Sequence, residues 1–82
     1  MSEADKMFEE LGYVQINKEY TFEIRYKKEF KSKKPRHIVF FRTDCSICVC
    51  EENAKGLTIR RDYFSIKELK AINKKVEELG WN

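Results

Sequence analysis

Apolar residues recur every third or fourth position from Ile66 to Leu79. Ile66, Leu69, Ile72, Val76 and Leu79 form one stripe of an amphipathic helix. Its ends are marked locally. Ser65 and Glu68 have the S-x-x-E spacing of a capping box, and Phe64 with Leu69 stand where a hydrophobic staple closes over such a cap. Gly80 suits the left-handed residue that ends a helix, with Trp81 folding back on the last turn. A shorter helix is predicted over residues 2–11. Ser2 and Asp5 start it, Ala4, Met7, Phe8 and Leu11 share one face, and Gly12 ends it. Both helices close on an acidic turn followed by Leu-Gly-aromatic, one capping solution used twice.

Between the helices the period changes to two. Val14 and Ile16 begin an extended segment, and Asn17-Lys18-Glu19 is a polar break. Tyr20, Phe22, Ile24 and Tyr26 then alternate with Thr21, Glu23, Arg25 and Lys27, the mark of a strand with one buried face. Residues 36–43 hold the most apolar run, Ile38-Val39-Phe40-Phe41, which predicts a central strand covered at least partly on both sides. A turn at 43–46, a strand through Ile47 and Val49, a turn at 51–56 and a last strand through Leu57 and Ile59 complete the series. Short connections make neighbouring strands antiparallel. The predicted fold is a two-layer α+β domain over residues 1–82. An antiparallel meander sheet of about four to five strands carries the N-terminal and C-terminal helices on one face.

Length and composition agree with one small domain. The chain has 82 residues, close to the size at which a single core becomes marginal. Six Phe, four Tyr and one Trp supply large apolar area. Charged residues reach 38%, with both signs well represented, as on a strongly solvated surface. No apolar run approaches a membrane span, and the first residues lack the basic start and apolar core of a secretory signal. The expectation is a cytoplasmic protein with no membrane contact. Three cysteines cannot all pair within the chain, which favours free thiols.

Charge alters the picture in one place. From Lys27 to His37, six cations (Lys27, Lys28, Lys31, Lys33, Lys34, Arg36) face one anion, Glu29. The segment carries +5 against +3 for the whole chain, leaving −2 elsewhere, and it holds the single proline, Pro35. Such a loop suits an anion-seeking surface as well as a solvated hairpin. Aromatics interleave it (Tyr26, Phe30, Phe40, Phe41), but Tyr26 has the parity of the buried face. Cys45-x-x-Cys48-x-Cys50 with His37 offers a Cys3His donor set on paper. Ile47 and Val49 oppose it, because they ask for a strand where a zinc knuckle needs a turn. No metal or other cofactor is therefore assigned. Lys55, Arg60 and Arg61, beside Asp62, are explained by local ion pairs. Lys67, Glu68, Lys70, Lys74, Lys75, Glu77 and Glu78 read as the solvated face of the last helix. Neither a glycine-rich phosphate loop nor a catalytic triad is present, and an enzyme is not expected.

Residues 5–13 (DKMFEELGY) and 65–81 (SIKELKAINKKVEELGW) resemble the ends of a group of small proteins encoded by phages and prophages of Gram-positive bacteria. The resemblance covers about a third of the chain, implies no activity and transfers no functional residue. It implies a bacterial host and a role through binding. The expected function is that of a non-enzymatic phage-type accessory protein that binds a host macromolecule, such as an inhibitor of a host defence complex in the manner of anti-CRISPR proteins. Lys28, Lys31, Lys33, Lys34 and Arg36, with the exposed sheet face, are the expected contact residues. Two alternatives stand beside it: direct binding of single-stranded nucleic acid, and a zinc-stabilised module. An unpaired edge strand, 13–17 or 57–61, offers a route to a homodimer.

Overall fold

The computed structural model describes residues 2–16, 22–61 and 63–81. It contains helix α1 (Glu3–Glu10), strands β1 (Tyr13–Gln15), β2 (Glu23–Lys28), β3 (Arg36–Phe41), β4 (Ser46–Glu52) and β5 (Thr58–Arg61), and helix α2 (Ile66–Leu79). The strands form one antiparallel sheet in the order β1-β2-β3-β4-β5, as the short connections require. The expected polar break at 17–19, the strand start at Tyr20 and Thr21, and Asp62 fall outside the described residues.

Parity decides which face meets the helices. Ile24 and Tyr26 of β2, Ile38 and Phe40 of β3 and Val49 of β4 join Phe8 of α1 and Ala71 and Ile72 of α2 in one core. Both helices therefore cover the same face. The centre of this core is aromatic. Phe8 stacks on Tyr26 with ring centroids 4.1 Å apart, while Tyr13 and Phe40 meet Phe8 edge-on at 6.0 Å. Trp81, folded back past the Gly80 cap, lies 6.3 Å from Phe40. Each such pair adds roughly 0.5–1.5 kcal/mol beyond area burial. β3 is buried along nearly its whole length on both faces, as its apolar run predicts.

The helix ends follow their sequence signals. Ser65 Oγ accepts from the Glu68 amide at 3.1 Å, and Glu68 Oε1 accepts from the Ser65 amide at 2.7 Å. Gly80 takes φ 74°, and the Trp81 amide donates back to the Val76 carbonyl at 3.1 Å. Ser2 Oγ caps α1 through the Asp5 amide at 3.0 Å. The apolar stripe of α2 is rotated from the predicted one. Ile72 is buried, Leu69, Val76 and Leu79 are half-buried, and Ile66 is 67% exposed. The face that α2 buries is centred on Glu68, Ala71 and Ile72. The cause is α1. It lies beside α2, so the buried arc shifts toward Ala71 and Lys75, whose ammonium reaches Asp5 at 3.5 Å.

Polar bonds between the helices complete the layer. Glu78 Oε2 accepts from the Ala4 amide at 2.9 Å, filling one open donor of the first turn of α1. Lys74 pairs with Glu3 at 3.3 Å, and the Tyr26 hydroxyl donates to Asp5. The outer face expected of α2 is thus partly an inter-helix seam: Lys74, Lys75 and Glu78 face α1 rather than bulk water alone.

Candidate interaction surface

Lys28 ends β2 and Arg36 opens β3 as directly opposed partners, so the basic segment is the hairpin connection between them. Arg36 also opposes Glu51 of β4, and Glu52 beside it opposes Thr58 of β5. The β2–β3 loop and the β4–β5 turn therefore share one end of the sheet. The α1–β1 junction lies there too, because Tyr13 opposes Lys28.

The structure divides the five expected contact residues. Arg36 is not a surface residue: it is 6% exposed and turned into the core face. Its Nε donates to Glu68 Oε2 at 3.0 Å and lies 3.1 Å from the Tyr13 hydroxyl. Its Nη1 donates to Glu51 Oε2 at 3.1 Å, and its Nη2 to the Tyr63 carbonyl at 2.6 Å. The guanidinium also covers the Tyr63 ring, 5.1 Å from its centroid. Parity explains the change of role. Arg36 is two residues before Ile38 on the same strand, so it points where Ile38 points.

Glu68 is the anion that receives it, and was expected on the solvated face of α2. It is 9% exposed and bonded to Arg36, to the Tyr13 hydroxyl and to the Ser65 amide. Burial alone would raise the Glu68 pKa. Hydrogen bonds from Tyr13, Ser65 and Arg36 outweigh that and hold its carboxyl below the ordinary carboxylate range. Tyr13 is shifted the other way: burial, reinforced by the Glu68 carboxylate, pushes its hydroxyl well above the usual phenol range. Glu51 completes the chain, accepting from Arg36 on one oxygen and from Arg61 Nε on the other at 3.0 Å. No buried side-chain N or O among the described residues lacks a hydrogen-bond partner, those of this group included. The group is a structural fastening across β1, β3, β4, β5 and the start of α2.

Lys28 is also partly committed. It is half-buried, and its ammonium lies 5.8 Å from the Tyr13 centroid and 5.3 Å from that of Phe30. Its stem crosses Gly12, where an added Cβ would stand 3.3 Å from Lys28 Cε. Lys31, Lys33 and Lys34 are exposed, as expected. Lys33 Nζ sits 4.3 Å from the Phe30 centroid, so both Lys28 and Lys33 lie over that ring. Two ammonium groups thus occupy Phe30, which leaves it poorly placed to stack on a base. Lys55, in the β4–β5 turn, adds an exposed cation to the same end. The acids nearby are already bonded: Glu29 to Lys27 at 3.7 Å, Glu51 to Arg36 and Arg61, and Glu52 to His37 at 2.8 Å.

The cysteines lie elsewhere. Cys45 sits in the β3–β4 turn at φ 57° and is exposed, whereas Cys48 and Cys50 are on the sheet face away from the helices. Cys50 directly opposes His37, whose ring is held between Glu52 and Arg25 Nη1 at 3.4 Å. All three are free thiols, and burial with Cys48 nearby raises the Cys50 thiol pKa. Among the described residues no group of three or more His, Cys, Asp or Glu side chains is arranged to hold a metal ion. No described helix is long and apolar enough to cross a membrane.

One apolar region escaped the reading of the sequence. Leu57, Ile59, Tyr63, Phe64 and Ile66 are 40–67% exposed and follow one another from β5 into α2. Beside them a groove of about 380 Å³ runs between β4–β5 and α2, lined by Ile47, Val49, Phe64, Leu69 and Ile72. Phe64 and Leu69, expected as a staple, are two walls of this groove. The signal available in the sequence was the density of apolar residues from Leu57 to Ile66, more than a four-residue edge strand can bury. No protein family matches the chain, and no curated protein or solved structure is detectably similar to it.

Proposed function

We propose that the protein is a non-enzymatic accessory protein that acts by docking the basic end of its sheet on an acidic surface of a host macromolecule. Lys31, Lys33 and Lys34 form the centre of that surface, with Lys28 and Lys55 at its margins. One observation carries the reading. Three exposed lysines of the loop, Lys31, Lys33 and Lys34, stand at an end where Glu29, Glu51 and Glu68 are paired with other cations and Glu52 is bonded to His37. Lys34 acts at a distance on Glu52, but none of the three lysines forms an ion pair among the described residues, so their field reaches solvent and is available to an acidic partner. The self-contained Arg36 network supports a role without catalysis, since its groups satisfy one another. The phage-like ends favour a host protein or protein–nucleic-acid complex, a defence complex included. An acidic protein surface is preferred over single-stranded nucleic acid because Phe30, the ring within the loop, is already flanked by Lys28 and Lys33.

The test is capture from bacterial host lysate by the tagged protein, compared with the triple variant Lys31→Glu/Lys33→Glu/Lys34→Glu. A partner held by the parent and lost by a normally folded variant is expected. Equal capture by both, or none by either, overturns the proposal. Titration with a single-stranded oligonucleotide separates the alternative: affinity falling by orders of magnitude from low to physiological salt would favour nucleic acid.

A further inference from the structure

The two edges of the sheet differ. β1 has only three residues, of which Tyr13 is buried and the central Val14 is exposed. β5 has four exposed residues in unbroken register with β4, from Glu52↔Thr58 to Val49↔Arg61. It carries no proline or bulge, and its two charges are Arg60 and Arg61, of which Arg61 is already held by Glu51.

The direction of its free backbone groups follows from the ladder. The Asn53 amide donates to the Leu57 carbonyl at 2.7 Å, so 53 and 57 are a hydrogen-bonded pair. Bonded and non-bonded pairs alternate, which makes Glu51–Ile59 and Val49–Arg61 bonded pairs as well. The Glu52 amide agrees, since it turns to the Pro35 carbonyl on its other side at 3.0 Å. Thr58 and Arg60 therefore present their amides and carbonyls outward.

A second copy of this chain matches that pattern. We propose that β5 pairs with β5 of another copy, antiparallel and two-fold about Ile59, to give one sheet continuous through two molecules. Thr58 of each copy then exchanges both backbone bonds with Arg60 of the other, while Ile59 meets Ile59 in the close, non-bonded position. The neighbouring two-fold register about Arg60 would set arginine against arginine, which disfavours it. On the face away from the helices, Arg60 makes no ion pair among the described residues. In the dimer it lies beside the other copy's Thr58, with the other copy's Glu52 one strand further on, about 9.6 Å away across two strand spacings. The extended arginine and glutamate side chains together span that distance, so the cation meets an acid, itself bonded to His37, across the join. On the helix face, Leu57 opposes Arg61, whose charge is already held by Glu51 at 3.0 Å. Tyr63, Phe64 and Ile66, exposed on the same flank, supply apolar cover on each side.

This surface is separate from the lysine loop, and its test is separate too. Analytical ultracentrifugation over a concentration series is expected to show a species of twice 9.9 kDa. Ile59→Lys places like charges together at the axis and should raise the dissociation constant at least about tenfold. Arg60→Pro removes an outward amide while sparing the β4 ladder and should do the same. Both variants should keep the parent melting temperature at low concentration. Ile59→Cys should form a disulfide between copies under mild oxidation, and Thr58→Cys should do so less readily. A protein monomeric at all concentrations, which leaves β5 to a strand of another protein, overturns the proposal. So does a dimer that Ile59→Lys and Arg60→Pro leave unweakened.

Discussion

Arg36 and Lys34 stand two residues apart in one basic run, and the fold treats them in opposite ways. Arg36 is on a strand, at a position whose parity turns it inward, where Glu68, Glu51, Tyr13 and a main-chain carbonyl receive it. Lys34 is in the loop before that strand and is exposed. Side-chain chemistry sharpens the contrast. A planar guanidinium can donate to several acceptors at once, whereas an ammonium is a compact and strongly hydrated charge. A run of positive charge in a sequence is therefore not one feature. The strand boundary divides it into a cation that holds the fold and cations available to a partner.

The contrast is broken most directly by Arg36→Ala. Removing this partner leaves Glu68 buried without its cation, and unfolding free energy should fall by about 3–5 kcal/mol in urea titration. A loss under about 1 kcal/mol would show that Arg36 belongs with the lysines after all. The double variant Arg36→Met/Glu68→Met should lose less than the sum of its single changes, because it removes both charges together.

Ile72→Ala gives the apolar yardstick, at about 2–5 kcal/mol. Leu69→Ala, on the half-buried wall of the groove, should cost clearly less. Equal losses would mean that the groove closes in solution. Tyr13→Phe removes a hydroxyl bonded to a carboxylate and should cost about 1.5–3 kcal/mol.

Acid should act on the fastening before it acts on the loop. The folded-state pKa values of Glu68, Glu51 and Asp5 are lowered, for Glu68 and Asp5 against the opposing effect of burial and for Glu51 chiefly through its bond from Arg61. Their contribution is complete above the unfolded glutamate value of 4.5 and is lost as pH falls through the lower folded values. The melting temperature should thus fall below about pH 4.5. Tyr13 and Tyr26 have raised pKa values, chiefly through burial, so their contribution is present below the unfolded value of 10 and is lost above it. In Arg36→Ala the acid limb should flatten. The smallest effect belongs to Lys31→Ser/Lys33→Ser/Lys34→Ser, within about 0.5 kcal/mol of the parent. A larger loss would place these lysines in the fold.

Local signals carried most of the architecture. The Ser65–Glu68 box, the Gly80 stop, the alternation through Ile24 and Tyr26 and the apolar run at 38–41 all correspond to what forms. Each depends on neighbours within a few residues. What could not be read depends on distant ones. Glu68 is recognisable as a capping residue, but its second role needs Arg36 and Tyr13, brought to it by the sheet. Ile66 and Leu69 fit the helical stripe, yet the position of α1 decides which part of that stripe is buried. Arg36 is the instructive case. Its strand was legible and so was its parity with Ile38, but its charge drew it into the loop's account.

The bond from the Ala4 amide to Glu78 spans 74 positions of the chain. On the ribosome α1 must wait for α2 before its leading turn is completed. The early helix and strands would emerge with Phe8 and Tyr26 lacking the cover that α2 provides. Vectorial synthesis therefore gives α1 and the sheet little head start, since their closure waits for α2 to emerge. A nascent chain stalled before residue 66 should be cut readily by protease near Phe8, and the released protein should resist.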